Sequence, residues 1–261
     1  MSTPQPAADR FLEHAGARLR WRLAGAGPAL ALLHGWALDL EYWDPVAALL
    51  AARFTVLRVD RRGFGLSTGI ADIHRNVPDL LAVLDAAGIG SVALVGMSQG
   101  ARLALHFAGL HPQRTRALVL DGAPAFDAES ELPLAQYAQL LASEGQPGLQ
   151  AAILRHPLMH LQTRDPMARD VLAASVAHYS GQDLLHPRPH AAAPAVERIT
   201  VPALILNGAL DSASRLAAGA ALQGQLPVNR RVELPHAGHL AALDDPAGYA
   251  QAVAGFCEEL P

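Results

Sequence analysis

At 261 residues, 51% of them apolar, the chain is long enough to bury a large core and too hydrophobic to stay disordered. Its 24 acidic and 20 basic residues leave a formal charge of −4 with no run of either sign, which argues against nucleic acid or an anionic membrane as the main partner. All 20 basic residues are arginine, so Schiff-base chemistry, a pyridoxal phosphate anchor and a P-loop lysine are excluded; the single cysteine, Cys257, excludes an internal disulfide and a Cys-rich metal site.

The opening stretch, Met1 to about Ala8, reads as a loose tail with Pro4 and Pro6 and no apolar core of a signal peptide. No run approaches about 20 unbroken apolar residues, so the expectation is a soluble, cytoplasmic protein. From Phe11 to Leu23, alternation through Leu19, Trp21 and Leu23 predicts one or two antiparallel strands, ended by the turn Gly25-Ala26-Gly27-Pro28. Ala29 to Leu33 is a short apolar run of the kind a buried strand makes, Asp39 to Ala52 has helical period, and Phe54 to Val59 is a second buried strand. Asp60 to Gly69 is a Gly-rich loop, after which Asp72 is placed to cap a helix running to Ala87. A strand at Val92 to Val95, a helix from Gln99 to Leu110 and a strand at Ala117 to Leu120 follow. Between about Pro124 and Thr200 the alternation stops. Prolines and helical segments (Leu134 to Glu144, Gly148 to Arg155, Met167 to Tyr179) predict a helical lid over the sheet. The pattern then resumes with a strand at Ala203 to Leu206, a helix at Ser212 to Gln225, a strand at Arg230 to Leu234 and a closing helix at Pro246 to Glu259. The fold class is therefore α/β, a mostly parallel sheet covered on both faces, with residues 1–123 and 201–261 as the core and 124–200 as the lid.

The chemistry centres on Gly96-Met97-Ser98-Gln99-Gly100, which sets a serine between two glycines directly after a strand and directly before a helix. That is the pattern of a nucleophile elbow, in which a tight strand-to-helix turn holds the hydroxyl up at the end of the sheet. A serine hydroxyl needs a base, and twelve histidines are available. The loop Pro235-His236-Ala237-Gly238-His239 after the last strand opens at the sheet end where Ser98 should lie, and His239, which follows Gly238, is chosen over His236 for its match to the nucleophile-elbow arrangement. Asp211, at the end of the preceding strand, is the acid that would orient His239, giving the chain order Ser, Asp, His; Asp121, also at a strand end, is its competitor. The oxyanion calls for two backbone N–H groups: that of Gln99 at the helix N-terminus and that of Trp36, after Gly35.

His34-Gly35-Trp36, Asp60-Arg61-Arg62-Gly63-Phe64-Gly65-Leu66-Ser67, the elbow, Asn207-Gly208-Ala209-Leu210-Asp211 and Ala237-Gly238-His239 together resemble the α/β-hydrolase superfamily, in its lid-bearing carboxylesterase and lactonase branch. The first segment is similar to that of pimeloyl carrier-protein methyl esterases, and Asp60-Arg61-Arg62-Gly63 to that of cofactor-free perhydrolases and enol-lactonases. The resemblance implies an eight-stranded sheet whose second strand is antiparallel, with the lid inserted after the sixth. It also implies a serine hydrolase of a small carboxylic ester or lactone, with carbon–carbon bond hydrolysis or perhydrolysis on the same triad as alternatives and a non-catalytic ligand receptor as the alternative of another class. Asp60 and Arg61 are read as orienting loops beside the site without joining the chemistry. His156 and His160 make a weak metal pair broken by Pro157, and no pattern singles out the lid histidines 178, 186 and 190; the lid arginines 155, 164, 169 and 188 read as solvated surface charge, with a hold on a substrate carboxylate or phosphopantetheine as the alternative. No cofactor and no metal are expected, the partner is a small-molecule substrate, and the assembly is a monomer or homodimer.

Overall fold

Ala15 and Gly16 both take positive φ, 46° and 75°, the geometry of a two-residue hairpin turn. They join β1 (Arg10–His14) to β2 (Ala17–Ala24) in antiparallel register, His14 opposite Ala17. The structure is a computed structural model describing residues 7–126, 130–187 and 193–260. Strands and helices then alternate: β3 (Ala29–Leu33), α1 (Asp44–Leu50), β4 (Thr55–Val59), α2 (Asn76–Ala86), β5 (Val92–Met97), α3 (Gln99–Leu110) and β6 (Thr115–Asp121). Three helices follow with no strand among the described residues, α4 (Leu134–Leu154), α5 (Pro166–Ala177) and α6 (Gln182–Leu185). The alternation resumes in β7 (Ala203–Gly208), α7 (Ala213–Gln225), β8 (Asn229–Leu234), α8 (Ala241–Asp244) and α9 (Pro246–Glu258).

The eight strands form one sheet in the order β1-β2-β4-β3-β5-β6-β7-β8, with β2 antiparallel to β4 and every pairing from β4 to β8 parallel. The near-continuous apolar runs of the central strands follow from burial on both faces. Along β3, Leu30 and Leu32 enter one core while Ala31 and Leu33 enter the other; along β5, Ala93 and Val95 join the core that holds Trp43 and Tyr249 while Leu94 joins the one that holds Leu105 and Phe107. The carboxyl ends of β3, β5, β6, β7 and β8 come together at one rim, the position at which an open α/β sheet binds its ligand. No helix among the described residues is long and apolar enough to cross a membrane.

Besides shifts of one or two residues at element ends, three helices differ from the expectations, each near a proline. The helix expected from Asp39 becomes a 3-10 turn, Leu40–Trp43, followed by α1, because Pro45 lacks an N–H and fits only a first turn. For the same reason α2 begins at Asn76, which sets Pro78 in its first turn; Asp72 instead accepts from His74 N at 2.9 Å in the turn before it. The two helices expected at Leu134 to Glu144 and Gly148 to Arg155 run together as α4, broken at Gly145 (φ 68°, ψ −168°), two residues before Pro147. Arg188 and His190 lie outside the described residues.

Candidate active site

Ser98 joins β5 to α3 at φ 54°, ψ −115°, a backbone conformation that L-residues rarely adopt. Two glycines make the turn possible. A Cβ on Gly96 would lie 2.3 Å from Gly100 O, and one on Gly100 would lie 2.0 Å from Leu33 O, so only hydrogen fits where β3, β5 and α3 meet. Ser98 N donates to Asp121 O at 2.8 Å, which ties the elbow to the end of β6.

The loop after β8 brings a histidine to the same rim. His239 is 5% exposed, and its Nδ1 lies 3.0 Å from Asp211 Oδ2, whose residue follows β7; His236 is exposed and takes no part. A carboxylate only accepts, so Nδ1 carries the proton and Nε2 is the basic nitrogen. Asp211 is itself held by the Ser212 N–H, which donates to Oδ1 at 2.7 Å. Gly122 at the end of β6 packs against the pair, since a Cβ there would lie 3.0 Å from His239 Nδ1 and 3.2 Å from Asp211 Oδ2. The competing acid, Asp121, is 1% exposed; burial and the Asp211 carboxylate push it well above the usual carboxylate range, and neither of its oxygens finds a hydrogen-bond partner among the described residues.

On the other side of Ser98 stands the loop after β3. A Cβ on Gly35 would lie 3.4 Å from Ser98 Cβ, so the Gly35–Trp36 peptide is beside the nucleophile. Neither Trp36 N nor Gln99 N finds an acceptor among the described residues. The next residue, Ala37, has φ 57°, a second strained position in the loop. Asp60 and Arg61 support it from β4. Asp60 accepts from Leu40 N at 2.7 Å and Leu66 N at 2.9 Å, while burial, then the Asp39 carboxylate, raises its pKa to about 7. Arg61 Nη2 donates to Gly35 O at 2.9 Å and Nη1 to Gln99 Oε1 at 3.2 Å.

The sequence did not point to Arg215, in the first turn of α7. Its Nε donates to Glu131 at 2.6 Å, while Nη1 donates to Gly122 O at 3.1 Å and approaches Ser98 Oγ at 3.5 Å. Ser98 Oγ makes no hydrogen bond to His239 among the described residues; such contacts commonly tighten only once substrate is bound. The spacing of Arg215 four residues after Asp211, at the start of a helix, is the one local signal that could have placed it at this rim.

A cavity of about 370 Å³ is walled by Trp36, Phe64, Ile73, Leu134 and Leu184 and reaches Arg61 and Gln99. A smaller one, about 80 Å³, contains Ser98 with Arg102, Glu131 and Arg215. The Trp36 indole both walls the first cavity and donates from Nε1 to Asp183 Oδ2 at 2.8 Å, stacking on Tyr137 of α4 at 5.7 Å. As for metals, His156 and His160 engage the carbonyls of Glu131 and Arg155, each at 3.2 Å. Asp39, Glu41 and His178 place ligand atoms within 4.8 Å of one another, yet Asp39 is bonded to His178 and Glu41 to Arg20 and Arg22, so the group is a salt-bridge network.

Residues 28–246 match the family described as alpha/beta hydrolase fold. The chain is 32% identical over 250 residues, 90% of its length and 96% of the relative's, to a pimeloyl-[acyl-carrier protein] methyl ester esterase of Chromobacterium violaceum. It is 27% identical over 255 residues to the protein of that name from Aeromonas hydrophila, covering 89% of this chain and 96% of that one. Among solved structures, the enol-lactonase of Burkholderia xenovorans LB400 superimposes with a TM-score of 0.83 at 26% identity, over 96% of this chain and all of that one (100%). With a matched sequence pattern across most of its length and an eight-stranded sheet carrying a serine elbow, the chain belongs to the α/β-hydrolase family.

Proposed function

We propose that the protein is a serine hydrolase of small carboxylic esters or lactones that works through an acyl-enzyme. Ser98 Oγ attacks the carbonyl as His239 Nε2 takes its proton, and Asp211 fixes the His239 tautomer and stabilises the imidazolium that forms. The Trp36 and Gln99 N–H groups bind the developing oxyanion, helped by the N-terminal dipole of α3. His239 returns the proton to the leaving oxygen, then activates the water that releases the acyl group. The acyl part occupies the cavity of about 370 Å³, within the size range of small-molecule pockets, and residues 124–200 serve as the lid that covers it.

The single observation carrying this reading is the buried Asp211–His239 pair, 3.0 Å apart and packed against the strand that also anchors the Ser98 amide. The relatives named as a methyl ester esterase and an enol-lactonase support the substrate class. Arg215 serves as a fixed donor that holds the Ser98 hydroxyl region and, through Glu131, ties α7 to the segment entering α4. The test is turnover of p-nitrophenyl butyrate and of a simple enol lactone. Ser98→Ala is expected to lose roughly 10³-fold or more in kcat with an unchanged circular dichroism spectrum. A Ser98→Ala protein that keeps even a tenth of wild-type turnover, about 10%, contradicts the reading.

A further inference from the structure

The proposed mechanism leaves the buried Arg61 guanidinium unused. Arg61 is 6% exposed, has no carboxylate within ion-pair distance among the described residues, and its Nε finds no hydrogen-bond partner there. Burial lowers its pKa to about 10 against the opposing pull of the Asp183 carboxylate. A buried cation without a paired anion is unfavourable to hold, so what it touches is informative.

Its polar contacts converge on the oxyanion loop and the elbow. Besides Nη2 to Gly35 O and Nη1 to Gln99 Oε1, the Arg61 amide N–H donates to His34 Nε2 at 3.0 Å. That bond decides the His34 tautomer: Nε2 accepts, so Nδ1 carries the proton and donates to Gly35 O at 2.8 Å. Burial, then the Arg61 charge, depresses the His34 pKa to about 3 and keeps the ring neutral. The Gly35 carbonyl therefore receives two N–H groups. In a planar trans peptide the C=O and the following N–H point in opposite directions. Pinning Gly35 O thus fixes the direction of the Trp36 N–H, which is otherwise free to turn because the preceding residue is glycine.

We propose that Arg61 is a positioning residue of the oxyanion hole: with His34 it clamps the Gly35–Trp36 peptide in its donating orientation, and its unpaired charge sets the positive potential against which the oxyanion forms. The inference rests on the serine-hydrolase reading above. In the opposite orientation the peptide would present its carbonyl oxygen to the developing negative charge. The rival role, direct contact between Arg61 and a bound substrate in the larger cavity, makes a different kinetic prediction.

Arg61→Met and Arg61→Lys are compared with wild type for p-nitrophenyl butyrate hydrolysis and for inhibition by an alkyl trifluoromethyl ketone, whose hemiketal on the serine carries the same oxyanion. Arg61→Met is expected to lose about 10- to 100-fold in kcat with KM within about threefold, and its ketone Ki to rise by the same factor. Arg61→Lys, which keeps the charge and one donor, falls between Arg61→Met and wild type in both measures. Where Arg61→Met does not fold, as judged by circular dichroism, Arg61→Lys carries the test alone and must lose kcat and ketone affinity together. An Arg61→Met enzyme with wild-type kcat overturns the proposal, as does a rise in KM at constant kcat, a fall in kcat without matching loss of ketone affinity, or a folded Arg61→Lys equal to wild type when it stands alone. A wild-type protein that ignores both ester and ketone overturns the serine-hydrolase reading and this inference with it, an outcome distinct from an active wild type with unimpaired variants.

Discussion

Holding Ser98 at φ 54° costs about 1–3 kcal/mol, a strain that the surrounding strands must override. The residues around it divide two carboxyl groups by environment. Asp211 accepts from His239 and from the Ser212 N–H, whereas Asp121 is buried without a hydrogen-bond partner among the described residues and its pKa is pushed up by burial. Asp211→Asn is therefore expected to cut kcat by roughly 10³- to 10⁴-fold, because the amide no longer dictates the His239 tautomer. Asp121→Asn keeps the shape and removes the titratable group, and is expected to stay within about threefold of wild type in ester turnover; a loss comparable to Asp211→Asn would make Asp121 the working acid. The two differ in stability as well. A raised carboxyl must take up a proton on folding above its unfolded pKa of about 3.9, so wild-type stability falls with rising pH relative to Asp121→Asn, a divergence that melting curves from pH 4 to pH 8 would record. Ser98, His239, Asp211, Trp36 and Gln99 were readable because each sits in a short segment at a strand end. Glu131 and Arg215 were not, since their ion pair spans 84 residues and the approach of Arg215 to Ser98 spans 117; the place of Arg215 four residues after Asp211 is a local signal for the rim but encodes neither contact.

At the scale of elements, the helical segment after β6 is fastened to the core by polar groups. Asp39, just beyond the oxyanion loop, accepts from Ser175 Oγ at 2.7 Å in α5 and from His178 Nδ1 at 2.7 Å at its end, and Trp36 reaches Asp183 in α6. The hydrogen bond to Asp39 raises the His178 pKa, against the lowering effect of burial. Burial would raise Asp39, but the hydrogen bonds from His178 and Ser175 outweigh it and hold its pKa down. The His178 share of stability is thus complete below its unfolded value of about 6.5 and fades as the pH climbs through the raised folded value; the Asp39 share is complete above about 3.9 and fades as the pH falls through the depressed one. His178→Gln is expected to lower the melting midpoint by roughly 2–4 °C near pH 6 and to match wild type by about pH 9. A gap that persists unchanged to pH 9 would remove the ion pair from the account. None of this clasp was legible beforehand, because His178 falls among several histidines in a segment without periodic signal and Asp39 reads locally as the start of a helical stretch.

Across the whole molecule, the sheet was legible because buried parallel strands leave continuous apolar runs bounded by turn residues, as at Ala29–Leu33 and Val92–Met97. Residues 124–200 were legible only as helical and proline-rich: their role depends on which face they cover, and α4 is held by distant side chains such as Trp36 rather than by its own periodicity. Both levels converge on one claim, that the rim of this sheet presents Ser98 as an activated nucleophile. Reaction of the intact protein with a fluorophosphonate, followed by mapping of the adduct by peptide mass spectrometry, tests it most directly. One phosphonyl group on Ser98, abolished in Ser98→Ala and strongly slowed in His239→Gln, is the result predicted. An unlabelled wild-type protein, or an adduct on another residue with Ser98 untouched, would contradict it.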